Sequence, residues 1–179
     1  MFSKSKCVTH SITHPIGFIL MLLLVLWAAP TQAQLQVAAD IQLAGNADRQ
    51  LSQSTSVAAV QGDQVIIEVF ASGFEGSVGF NANFQLSDPN AVTAVTGSGQ
   101  GGPYSLPLPS NITDGSVNLS LGQFSGATIP PGDPQFVGSL TLTLGQLSSL
   151  TITLNSADIG AGPVPQNIVF TVGDPNSLP

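Results

Sequence analysis

Val78-Gly79-Phe80-Asn81-Ala82-Asn83-Phe84-Gln85-Leu86, followed by Ser87-Asp88-Pro89, is the stretch that decides the fold. Val78, Phe80, Ala82, Phe84 and Leu86 alternate with Gly79, Asn81, Asn83 and Gln85. Successive side chains of a β-strand point to opposite faces, so the alternation predicts one apolar face and one amide-rich face. Pro89 ends the strand, because proline has no N–H for a ladder and fixes its own φ.

Outward from this strand the same period recurs. Val37, Ala39, Ile41 and Leu43 share one face of Gln36 to Leu43, and Val65, Ile67 and Val69 one face of Val65 to Phe70. Short strands are predicted at Val57 to Val60 and Ala91 to Thr96. Val117, Leu119 and Leu121 alternate with Ser116, Asn118 and Ser120; Leu140, Leu142 and Leu144 alternate with Thr141 and Thr143. Leu150 to Leu154 and Asn167 to Val172 close the pattern. Residues 44–56 read as a loop. So do 97–110, with Tyr104 in the middle, and 125–135, because glycine and proline interrupt any regular structure. The sum is about nine short strands with no helical period between them, which predicts an all-β antiparallel sandwich or jelly roll. On strict alternation Ile66, Phe70, Val137 and Val169 point outward.

Residues 1–33 read as a cleaved signal peptide rather than fold. Lys4 and Lys6 precede an apolar run from Ile16 to Trp27, and Thr31-Gln32-Ala33 supplies small residues before Gln34. The run is shorter than the roughly 20 residues of a spanning helix. Cys7 lies upstream of it, where it cannot serve as a lipoprotein attachment site. The expected mature domain, 34–179, holds all ten carboxylates and one cation, Arg49, for a net charge near −9, and no Lys, His, Cys or Trp. So acidic a surface repels phosphate backbones, which excludes nucleic acid as a partner. Secretion, without a membrane anchor after cleavage, is the expected location.

The same subtraction removes most catalytic chemistry. Without His, Cys or Lys there is no Ser-His-Asp triad, thiolate nucleophile, Schiff base or His-ligated zinc. Paired carboxylates remain, as in glycosidases. However, most acids sit in turns, and only Asp40 and Glu68 lie inside strands, where alternation puts them on solvent faces. No catalytic residue, cofactor or metal site is expected. Asp174-Pro175-Asn176 opens like a calcium loop and lacks the rest of one, while Asp133 and Asp158 read as turn residues.

Three short motifs carry a resemblance. Gly62-Asp63-Gln64-Val65, Asn81-Ala82-Asn83-Phe84-Gln85-Leu86 with Asp88-Pro89, and Gly138-Ser139-Leu140-Thr141-Leu142 together resemble the cohesin domain over roughly Leu35 to Gly173. Cohesins dock dockerin-bearing enzymes onto bacterial scaffoldins. The resemblance implies a nine-stranded flattened jelly roll, a fold shared with a group of carbohydrate-binding modules. It also implies an Asn-x-Asp pair on the organising strand that hydrogen-bonds the partner. Here the matching positions are Asn81 and Asn83, with Asn where the family has Asp, and the run to Asp88 is about one residue shorter. The candidate binding residues are therefore Asn81, Asn83, Gln85 and Asn118 for an extracellular, dockerin-like protein. Tyr104 joins the amides if the ligand is a polysaccharide. A structural extracellular role is the third alternative.

Overall fold

The computed structural model describes residues 34–146, 149–173 and 175; the predicted signal peptide, and Asp174 and Asn176 of the Asp174-Pro175-Asn176 motif, lie outside them. Eleven strands form two sheets packed face to face. One, here sheet A, has the order β1-β3-β9-β5, with β1 at Gln36–Leu43, β3 at Gln64–Ser72, β9 at Gln135–Leu144 and β5 at Val92–Ser98. Sheet B has the order β2-β11-β10-β4-β8-β6: β2 is Ser56–Ala58, β11 Val164–Gly173, β10 Ser149–Asp158, β4 Phe74–Leu86, β8 Ser116–Ile129 and β6 Leu106–Pro107. The two-residue β7, Ile112–Thr113, also pairs β8. Setting aside the two-residue β6 and β7 leaves the nine predicted strands. Among the described residues the strand pairings are antiparallel, as expected of the sandwich, with β2 running parallel to β11 at one edge.

The core lies between the sheets, as alternation requires. Ile41, Val65, Ile67, Leu140 and Leu142 come from sheet A; Phe80, Phe84, Leu119, Ile152, Leu154 and Phe170 come from sheet B. Burying a side chain of this size is worth about 1.5–3 kcal/mol, so the inward rows supply the stability of a chain that has no cysteine after residue 33 to cross-link.

Bulges account for most departures from strict alternation. Val69 pairs Gly138 while Phe70 pairs Phe136, so Val137 is an extra residue on β9, and it turns into the core instead of outward. β8 continues through Gly122 to Ile129, so it absorbs the start of the predicted 125–135 loop. Between Ser77↔Ala127 and Gly79↔Gly122 it carries four residues against one on β4. This irregularity turns Val78 out to 63 % exposure, although alternation assigns it to the core.

Tyr104 is the largest correction. Its ring is fully buried, stacked on Phe74 (centroids 6.3 Å) and tilted against Phe80 (6.1 Å). Gly99 has no room for a Cβ beside the Tyr104 carbonyl, and Gly102 is equally tight against the Val137 backbone. The glycine-rich segment folds back on itself at these close approaches and carries Tyr104 into the core.

Candidate functional site

The two outer faces of the sandwich have opposite characters. On sheet B, Asn81, Asn83 and Gln85 of β4 pair with Ser120, Asn118 and Ser116 of β8. All six project outward, because their strand neighbours Phe80, Ala82, Phe84, Val117, Leu119 and Leu121 fill the core. The Asn83 amide donates both its hydrogens within the face, to Ser116 Oγ at 2.7 Å and Asn118 Oδ1 at 2.9 Å. Gln85 reaches the Asp114 carbonyl at 3.4 Å. Among the described residues Asn81 makes no side-chain hydrogen bond. Four of the five predicted site residues therefore come together on one face, and Tyr104 does not.

The amide row itself, residues 81–85 of β4 and 116–120 of β8, carries no charge. Asp158, the register partner of Asn81 on β10, turns its carboxylate to the backbone N–H groups of Gly160 (2.7 Å) and Gly162 (3.0 Å). That is the turn-capping use expected of an aspartate beside glycines.

The sequence reading missed the apolar end of the face. Phe124, in the β4–β8 irregularity, is 94 % exposed, and Val78, Leu106 and Leu108 are exposed with it. Leu106 pairs Gly122, which pairs Gly79, so Leu106 lies beside two glycines that put no side chain on the sheet surface. Five of the seven phenylalanines after residue 33 are buried, which makes the solvent-facing Phe124 the exception. The available signal was its setting, Gly122-Gln123-Phe124-Ser125-Gly126, where two flanking glycines weaken a regular strand.

On sheet A part of the outer face is roofed. Residues 47–53 fold over β1 and β3, and Asp40 and Glu68 beneath them are fully buried, not solvent-facing as alternation implied. The two acids are register partners across β1 and β3. Asp40 Oδ2 accepts from the Ser52 N–H (2.7 Å) and Ser52 Oγ (2.8 Å). Glu68 accepts from the Arg49 N–H at 3.1 Å on each oxygen, and from Gln42 Nε2 at 2.7 Å. Arg49 and Gln53 hold φ of 61° and 58°, a left-handed conformation costing roughly 1–2 kcal/mol each for non-glycine residues. The hydrogen bonds that Arg49 and Ser52 give to the two acids help to offset that strain. The Arg49 guanidinium lies 5.7 Å above the Phe136 ring. Burial pushes the Glu68 carboxyl above the ordinary carboxylate range. The Arg49 N–H opposes that shift, and the neighbouring charge of Asp40 reinforces it.

No protein-family model matches this chain, and no curated protein matches it significantly. Solved structures do. The sixth cohesin of Acetivibrio cellulolyticus scaffoldin B, solved with a mutant Cel5 dockerin, superposes at a TM-score of 0.50 with 13% identity, over 78% of this chain and 98% of that one. A cohesin module from a Clostridium perfringens family 33 glycoside hydrolase aligns over 79% of this chain and 99% of its own (10% identity, TM-score 0.47). A non-cellulosomal cohesin of the archaeon Archaeoglobus fulgidus aligns over 78% and 90% (16% identity, TM-score 0.45). The chain therefore has a cohesin-like fold.

Proposed function

We propose that this protein is a secreted, non-catalytic recognition module that binds another extracellular protein, one of dockerin type, through the outer face of sheet B. The observation that carries this reading is the face itself. An uncharged row of amides and hydroxyls, Asn81, Asn83, Gln85 and Asn118, lies on a flat two-strand platform and ends in the exposed apolar group around Phe124. Such a mixture of a large apolar anchor and hydrogen-bonding groups without charge suits protein recognition. Asn81 is the group best placed to meet a partner, since Asn83 already spends both amide hydrogens within the sheet.

The test is capture of partners from the secreted proteins of the source organism by the immobilised exported protein, first with calcium and then with chelator. Dockerins fold around calcium, so the expected result is a calcium-dependent partner lost on the double substitution Asn81→Ala/Asn83→Ala. Retention on insoluble polysaccharide with no protein captured would overturn the proposal. It would favour a carbohydrate-binding module instead, with Phe124 rather than the buried Tyr104 as the only large exposed ring among the described residues.

A further inference from the structure

The buried acids beneath the 47–53 segment have no part in the proposed recognition face, and their arrangement is unusual. Asp40 and Glu68 are cross-strand neighbours, a position that puts their Cβ atoms about 5 Å apart. Three of the four carboxylate oxygens accept hydrogen bonds; Asp40 Oδ1 is buried and has no partner. A buried ionised oxygen without a donor is costly, and two buried ionised carboxylates side by side are costlier still. The other groups around the pair do not relieve this. Sheet A continues the row with Ser139 on β9 and Ser98 on β5, and the roofing segment brings only Asp48 and Arg49 as charged residues. Asp48 accepts from the Gln50 N–H, and the Arg49 guanidinium is turned away over Phe136. A proton is the remaining donor.

We propose that Glu68 is protonated in the folded protein and donates its O–H to Asp40 Oδ1, so that one proton latches segment 47–53 onto sheet A. No bond other than O–H is made or broken. When the proton leaves to solvent, two anions face each other under the segment, and the strained backbone at Arg49 and Gln53 is free to lift. The device is therefore closed in acid and loosened as pH rises.

The composition makes the test specific, because the chain has two glutamates, Glu68 and the exposed Glu75, and a single arginine, Arg49. Carbon-13 labelling of glutamate carboxyls then gives two titrating signals, and nitrogen-15 labelling of arginine gives one backbone amide on the segment. The expected result is that the Glu68 carboxyl titrates at higher pH than Glu75. The Arg49 amide should shift with the same midpoint and exchange at least about tenfold faster above it than below, after correction for intrinsic exchange. Glu68→Gln should abolish the pH dependence of the Arg49 amide. Co-titration of Glu68 with Glu75, or an Arg49 amide that ignores the Glu68 titration, overturns the proposal. The wild-type titration decides this even if the variant fails to fold.

Discussion

The outer faces of sheets A and B are written in the same code and meet opposite fates. Both alternate polar with apolar residues, and both place carboxylate or amide side chains in cross-strand register: Asp40 with Glu68 on one, Asn83 with Asn118 on the other. Sheet A is roofed by its own chain over Asp40 and Glu68, which are buried, charged in type and hydrogen-bonded within the domain through three of their four oxygens. Sheet B is left open over β4 and β8, and the amide row there is uncharged. A face destined for a partner has to be desolvated when that partner binds, and amides cost less to desolvate than carboxylates. The difference separates a face that stabilises the domain from one available for recognition.

The largest expected effect sets one aromatic against another. Phe70 points to the outer side of sheet A, yet is 2 % exposed and packs edge-on against Phe136. Phe124 points to the outer side of sheet B and is almost wholly exposed. Phe70→Ala should destabilise by about 3–5 kcal/mol in denaturant melts, while Phe124→Ala should stay within about 0.5 kcal/mol of wild type. Equal costs at the two sites would mean that sheet A is not roofed, or that sheet B is covered too.

Next in size is the anchoring of the roof. Asp40→Ala removes the acceptor for two short hydrogen bonds from Ser52, each to a charged oxygen and together worth about 3 kcal/mol or more. The loss should appear both in global stability and as faster hydrogen exchange at Arg49 and Ser52. Loss of stability without local exchange would place the anchoring elsewhere.

How much of this was legible follows from what alternation can encode. It says which side of a sheet a residue occupies, and so it located the core rows and the Asn81, Asn83, Gln85 and Asn118 face from residue types alone. It cannot say whether that side is covered, and so it left Asp40 and Glu68 in solvent. A clue was present: the only cation after residue 33, Arg49, lies in a loop between two strands that each carry an outward acid. Alternation also presumes an unbroken register. The extra residue Val137 and the β8 irregularity before Phe124 each break it, which is why Val137 turned inward and Val78 outward. Tyr104 was misplaced for a different reason. Glycine-rich segments read as exposed because they lack apolar period, but Gly99 and Gly102 serve here to let backbone approach backbone.

The pH dependence comes third. A carboxyl whose folded value is raised is stabilising below the ordinary carboxylate range, and that stability is lost as pH rises through the raised value. Burial gives Glu68 this sign. Wild-type stability should therefore fall relative to Glu68→Gln on going from acid to neutral pH, with the two melting temperatures diverging rather than running parallel. Parallel curves would mean that Glu68 titrates alike in the folded and unfolded chains.

The smallest effects on stability lie on the open face, and there the contrast turns on a single pair of neighbours. Asn83→Ala removes two hydrogen bonds in a half-exposed row and should cost about 1 kcal/mol. Asn81→Ala removes none among the described residues and should fall within about 0.5 kcal/mol of wild type. Binding should rank them the other way. Asn83 has already spent its donors on Ser116 and Asn118, whereas Asn81 has both donors and its carbonyl to offer, so a partner on this face loses more with Asn81. Partner capture lost with Asn83→Ala but kept with Asn81→Ala would mean that Asn83 acts by holding the face in shape, and that contact is made elsewhere along β8.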